Sequence, residues 1–149
     1  MNADGFIAVG LAAPLLTAAA IDARRLILPD FLTLPLIPLG LAMAWLEPPD
    51  LATRAIGALS GFLTFAGIGW LYRRWRGRDG LGLGDAKLLA AAGAWVGWQG
   101  LPSVVLIAAI GGLAWALLTR QRADQKMPFG PFLAAGFWLV WWLGPLGPG

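Results

Sequence analysis

The sequence predicts an all-α, polytopic transmembrane helix bundle of about six helices, and three observations predict it. Hydrophobic residues fill 58% of the 149 positions and charged residues only 13%, far from the balance of a water-soluble domain. Apolar runs recur at about residues 5–21, 31–46, 55–72, 86–98, 101–119 and 129–144. Basic residues gather in alternate loops between those runs, the asymmetry that orients helices in a bilayer.

The first run ends at Asp22 and is followed by Arg24 and Arg25. Met1-Asn2-Ala3-Asp4 lacks a basic n-region and no clear cleavage site follows, so the run reads as a helix rather than a signal peptide. The second run opens after Pro29-Asp30 and carries Pro35 and Pro38. It is expected to kink there, with neighbouring helices satisfying the freed carbonyls. An acidic loop, Glu47-Pro48-Pro49-Asp50, separates it from the third run, which leads into Arg73, Arg74, Arg76 and Arg78. The fourth opens at Asp85, after Gly80-Leu81-Gly82-Leu83-Gly84 and just before Lys87. The fifth leads into Arg120, Arg122 and Lys126. The sixth carries Trp138, Trp141 and Trp142, which are expected, with most of the other tryptophans, to anchor at the membrane interface. Gly57-x-x-x-Gly61 and Gly93-x-x-x-Gly97 are expected to let helices approach closely.

Several runs are shorter than the roughly 20 residues a span needs, and flanking residues must extend them. Six crossings with both termini on the non-cytoplasmic side put every basic residue but Arg54 on one face. The chain reads as a single membrane-embedded domain over residues 1–149, without internal repeats. Its pI of about 10.2 comes from these short loops, so it signals topology and not a nucleic-acid partner.

Composition also narrows the chemistry. The chain has no cysteine and no histidine, which excludes thiolate metal sites, cysteine nucleophiles, HExxH zinc sites and Ser-His pairs. Its serines, Ser60 and Ser103, stand in no nucleophile motif. No metal or cofactor is expected. Acids remain, and two of them lie where an apolar run meets a basic loop on the same face. An acid near hydrocarbon is costly and points to function. Asp22 closes a helix whose dipole it opposes; the bland alternative is a surface pair with Arg25. For Asp85 the alternative is a plain N-cap. If Trp98 marks the far interface, 13 helical steps place Asp85 about 20 Å from it, short of the roughly 30 Å hydrocarbon thickness. Gly82 and Gly84 would let a second backbone come near it. Asp30 is explained by an N-cap role, with site support second, and Lys87 could snorkel or bias the charge of Asp85. Asp79 and Asp124 are expected to be solvated. Two carboxylates in one site are expected to share a proton, one activating water while the other donates to a peptide carbonyl.

The stretches Ile21 to Pro35, Gly80 to Gly97 and Pro128-Phe129-Gly130-Pro131-Phe132-Leu133-Ala134 occur in the order and spacing that resemble the type IV prepilin peptidases, bacterial GxGD aspartyl intramembrane proteases. The resemblance covers Asp22 to about Gly136. It implies an aspartic endopeptidase of the bacterial inner membrane whose catalytic pair is Asp22 and Asp85, facing the cytoplasm. Its substrates would be pilin or pseudopilin precursors, cut after a glycine between a short basic leader and an apolar helix. It also implies that Asp30, Lys87, Pro128, Gly130 and Pro131 shape the site. Longer members carry an amino-terminal region with paired cysteines and also methylate the new amino terminus. This sequence shows neither that region nor any cysteine, so it is similar to the short, peptidase-only members, including those of tight-adherence pilus systems. Two other readings stay open: a small proton- or ion-coupled transporter using paired acids, and a non-catalytic pilus assembly protein of the same fold.

Overall fold

Backbone amides have no water to bond in hydrocarbon, so an apolar chain satisfies them within helices. The computed structural model describes residues 3–46, 50–122 and 125–146 and has six helical elements there: α1 (Ala3–Arg25), α2 (Asp30–Thr33), α3 (Leu36–Met43), α4 (Leu51–Arg76), α5 (Leu83–Leu118) and α6 (Gly130–Leu143). Three of them, α1, α4 and α5, are long and apolar enough to cross a membrane. Glu47, Pro48 and Pro49 of the acidic loop, and Asp124, lie outside the described residues.

The second apolar run divides into α2 and α3 at Leu34-Pro35, as its prolines require. The fourth and fifth runs form one hydrogen-bonded element, α5, broken at Gly97 (φ 72°, ψ 174°), a conformation open in practice only to glycine. The halves, 83–96 and 98–118, run in opposite directions. The first lies along α4, where a methyl group on Gly57 would fall 2.5 Å from the Gly93 carbonyl oxygen and one on Gly61 would fall 2.7 Å from that of Leu89. The second lies along α6, Gly100 near Val140 and Gly136 against the Val104 carbonyl, with Gly112 near Phe129 at the other end. The two glycine pairs thus do what their spacing suggests: they bring backbones together.

α5 is the hub. Ala86, Leu88, Leu89, Ala91, Ala92, Ala94, Val104 and Ala108 are buried, and Leu133 and Phe137 of α6 join them. Trp95 departs from the interfacial role expected of most tryptophans. It is buried, its Nε1 donates to the Leu36 carbonyl at 2.8 Å, and its ring packs edge-on against Trp141. A buried indole needs such a partner. Trp45 and Trp75, by contrast, are exposed.

Asp50 caps α4, its Oδ1 accepting the Thr53 N–H at 2.8 Å. The hydrogen bonds with Thr53 hold its carboxyl below the usual carboxylate range. That support is present above the unfolded carboxylate range and is lost as pH falls through the lowered value. Arg54, one turn into α4, is buried and donates to the Gly40 carbonyl at 3.0 Å.

Candidate active site

At the end of the bundle where the basic loops emerge, the last turn of α1 bonds to the first turn of α6 and shares a cavity with the first turn of α5. Asp22 sits in that last turn and is only 6% exposed. Its Oδ2 accepts the backbone N–H of Gly130 at 3.0 Å, across 108 positions of sequence.

The start of α6 explains this bond. Phe129 is the N-cap and offers no side-chain cap, and Pro131 stands in the first turn without an N–H to give. The Gly130 N–H is one of the donors a helix leaves unsatisfied at its start. A carboxylate beside it also lies at the positive end of the α6 dipole, which offsets the opposing dipole of α1. The site demands glycine: a Cβ on residue 130 would fall 2.5 Å from Asp22 Oδ2 and 2.9 Å from its Cγ.

Asp85 is the third residue of α5, whose N-cap is Gly82. Asp85 is therefore not the cap. Its carboxylate faces back toward the Gly82 N–H, as the acid of a capping box does. Asp22 and Asp85 both line a cavity of about 190 Å³, together with Leu26, Ile27, Leu28, Asp30, Gly82 and Gly84. Among the described residues no hydrogen bond joins the two acids directly, and Asp22 pairs with Gly130 rather than with Arg25.

Asp30 corrects the sequence reading. Pro29, not Asp30, is the N-cap of α2, and both Asp30 oxygens accept from Lys87 Nζ at 2.8 Å. Lys87 is accordingly engaged with Asp30, neither snorkelling freely nor aimed at Asp85. Asp79, expected to be solvated, pairs with Arg73 at 2.7 Å on the exposed surface. Lys87, Pro128, Gly130 and Pro131 are not among the residues that line the cavity. Among the described residues no three His, Cys, Asp or Glu side chains are grouped to hold a metal ion.

The two glycines of the α5 turn prove unequal. A methyl group on Gly84 would fall 2.8 Å from Leu28 Cβ, whereas one on Gly82 would approach nothing closer than 3.9 Å, and the φ of −75° at Gly82 suits any residue. Gly84→Ala is expected to lower stability by about 1–3 kcal/mol through overpacking, and Gly82→Ala to leave it nearly unchanged. Thermal midpoints in detergent check both.

Sequence reasoning missed the wall. Leu26, with φ of 55°, ends α1 by donating its N–H to the Asp22 carbonyl at 2.8 Å. This left-handed position usually belongs to glycine, so no local signal announces it. Leu28 is buried against Gly84.

A family model described as the type IV leader peptidase family matches residues 9–117. Over 134 residues the chain is 50% identical to the prepilin leader peptidase/N-methyltransferase of Burkholderia pseudomallei (strain K96243), an alignment covering 87% of this chain and 43% of that protein. It is 46% identical over 121 residues to the Dickeya chrysanthemi protein of the same name, covering 78% and 43%. With the Aeromonas salmonicida (strain A449) protein the identity is 42% over 125 residues, covering 80% and 43%. The chain thus spans less than half the length of these curated relatives. No solved structure matches it.

Proposed function

Because the chain belongs to the type IV leader peptidase family, we propose that it is a membrane-embedded aspartic endopeptidase that removes the short basic leader from pilin or pseudopilin precursors. The observation that carries the reading is the shared cavity: Asp22 and Asp85, 63 positions apart in sequence, line one space of about 190 Å³.

One acid is ionised and takes a proton from water as that water attacks the scissile carbonyl carbon. The other is protonated and gives its proton to the carbonyl oxygen, forming a neutral gem-diol. Collapse of the diol returns a proton to the leaving nitrogen, the C–N bond breaks, and a carboxyl and an amine result. Asp22, held by Gly130, is the more fixed of the two. Asp85, on a partly exposed first turn, is the one better placed to adjust to substrate.

Arg24, Arg25, Arg73, Arg74 and Arg76 emerge at the cavity end of the bundle, so the positive-inside rule supports a site at the cytoplasmic face of the bacterial inner membrane. Both termini then lie on the opposite side, with six crossings once α2 and α3 are counted as one and α5 as two. A scissile bond between a cytosolic leader and an apolar helix lies at the same depth as helix ends of this kind.

The test is co-expression with a prepilin-like precursor and mass spectrometry of its amino terminus. A new terminus immediately after a leader glycine is expected. An intact precursor, together with ion flux in vesicles reconstituted with the pure protein, would replace this reading with transport.

A further inference from the structure

We propose that the Asp30–Lys87 ion pair is a positioning latch, which holds segment 26–29 against α5 and thereby sets the spacing between Asp22 and Asp85. The proposal rests on the peptidase reading for its kinetic consequences and on geometry alone for the latch.

The segment is pinned at three points. At its start, the Leu26 N–H is bonded to the Asp22 carbonyl while Leu26 holds a φ of 55°. A non-glycine residue keeps that conformation only where its surroundings enforce it. In its middle, Leu28 lies against Gly84, where even a methyl group would not fit. At its end, Asp30 is gripped through both oxygens by Lys87. The strained residue adjoins one catalytic candidate, and the ion pair adjoins the other: Lys87 leaves α5 two positions after Asp85.

The pair differs in kind from the other side-chain salt bridge found among the described residues. Arg73–Asp79 joins neighbouring positions on a surface where both side chains are mostly exposed. Asp30–Lys87 joins positions 57 apart, with the Lys87 side chain 27% exposed and the Asp30 side chain 55% exposed. A two-pronged grip on a partly buried lysine constrains geometry, whereas a solvated pair contributes little. Residues i and i+2 point to different sides of a helix, so Lys87 acts on Asp85 through the helix turn they share. Releasing the grip frees α2, lets Leu26 relax, and widens the gap the two acids must span.

The test has two arms. The chain contains no cysteine, so Phe31→Cys and Leu83→Cys, both at exposed positions, take spin labels selectively in the full-length protein. The inter-label distance distribution is expected to be narrow in the parent and in Lys87→Arg, and broad in Asp30→Asn and Lys87→Met. Without substrate this arm stands whether or not the chain is a peptidase. In the second arm, Asp30→Asn and Lys87→Met each lower kcat about 10- to 100-fold, the size of effect a small misplacement produces, with KM unchanged. The double variant is no worse than either single one, and Lys87→Arg and Asp30→Glu recover most of the rate. Unchanged distances, losses that multiply in the double variant, or a change confined to KM would each overturn the latch; the last would make Asp30 a substrate contact. Absence of cleavage by the parent, with the distances as expected, would overturn the peptidase reading and leave the latch in place.

Discussion

Gly130→Ala is expected to lower leader cleavage about 100-fold while the protein inserts and folds. The added methyl group has nowhere to go except toward Asp22, 2.5 Å from Oδ2 and 2.9 Å from Cγ. The backbone at residue 130 cannot retreat easily, because Pro131 and the start of α6 fix it. The Asp22 side chain must therefore rotate, and its hydrogen bond to the Gly130 N–H is lost. Misplacement of a reacting group by about 1 Å costs on the order of 100-fold in rate. A carboxylate that swings aside can still reach water at the cavity mouth, so the stability loss stays small. Gly67→Ala serves as the control, since a methyl group there meets nothing within 4 Å. Initial rates and thermal midpoints of both variants, at equal abundance, check the expectation. Equal damage from both substitutions would contradict it.

Asp22→Asn and Asp85→Asn are each expected to abolish cleavage without lowering stability. An amide preserves the shape of the side chain, and its oxygen can still accept from Gly130. It can neither remove a proton from water nor supply one to a carbonyl oxygen, so neither half of the acid–base exchange survives. On the stability side, a buried carboxylate is costly when its hydrogen-bond partner among the described residues is a single backbone amide. Replacing Asp22 with a neutral amide removes that cost, and the thermal midpoint should hold or rise. A variant that lost activity together with its fold would say nothing about chemistry, which is why the midpoint must be read beside the rate.

Much of this site was legible in the sequence, for reasons that are physical. Asp22 and Asp85 stand out because an acid at the edge of an apolar run is expensive, and that expense is visible without coordinates. Pro35 and the glycine pairs of α4 and α5 likewise declare what they do to a helix. The bond between Gly130 and Asp22 could not be read that way, because no periodicity spans 108 positions. Only the resemblance brought the Pro128–Pro131 turn near the site. Asp30 was misread because an acid after a proline at the head of an apolar run fits the cap pattern equally well. Its true partner, Lys87, belongs to a different helix. Leu26 gave no sign, since leucine is not the residue that sequence rules associate with a left-handed backbone. Trp95 was hidden by its own kind: in so apolar a chain, a tryptophan for the interface and one for the core look alike.

The most direct test reads the amino terminus of one prepilin-like precursor in four strains of equal enzyme abundance. These carry the parent chain, Asp22→Asn, Asp85→Asn, or the two variants together. A mature terminus is expected with the parent alone, because both acids must belong to the same cavity of the same chain. Mature protein in either single-variant strain would contradict the paired-acid mechanism, and mature protein only in the mixed strain would show that the site is assembled from two copies.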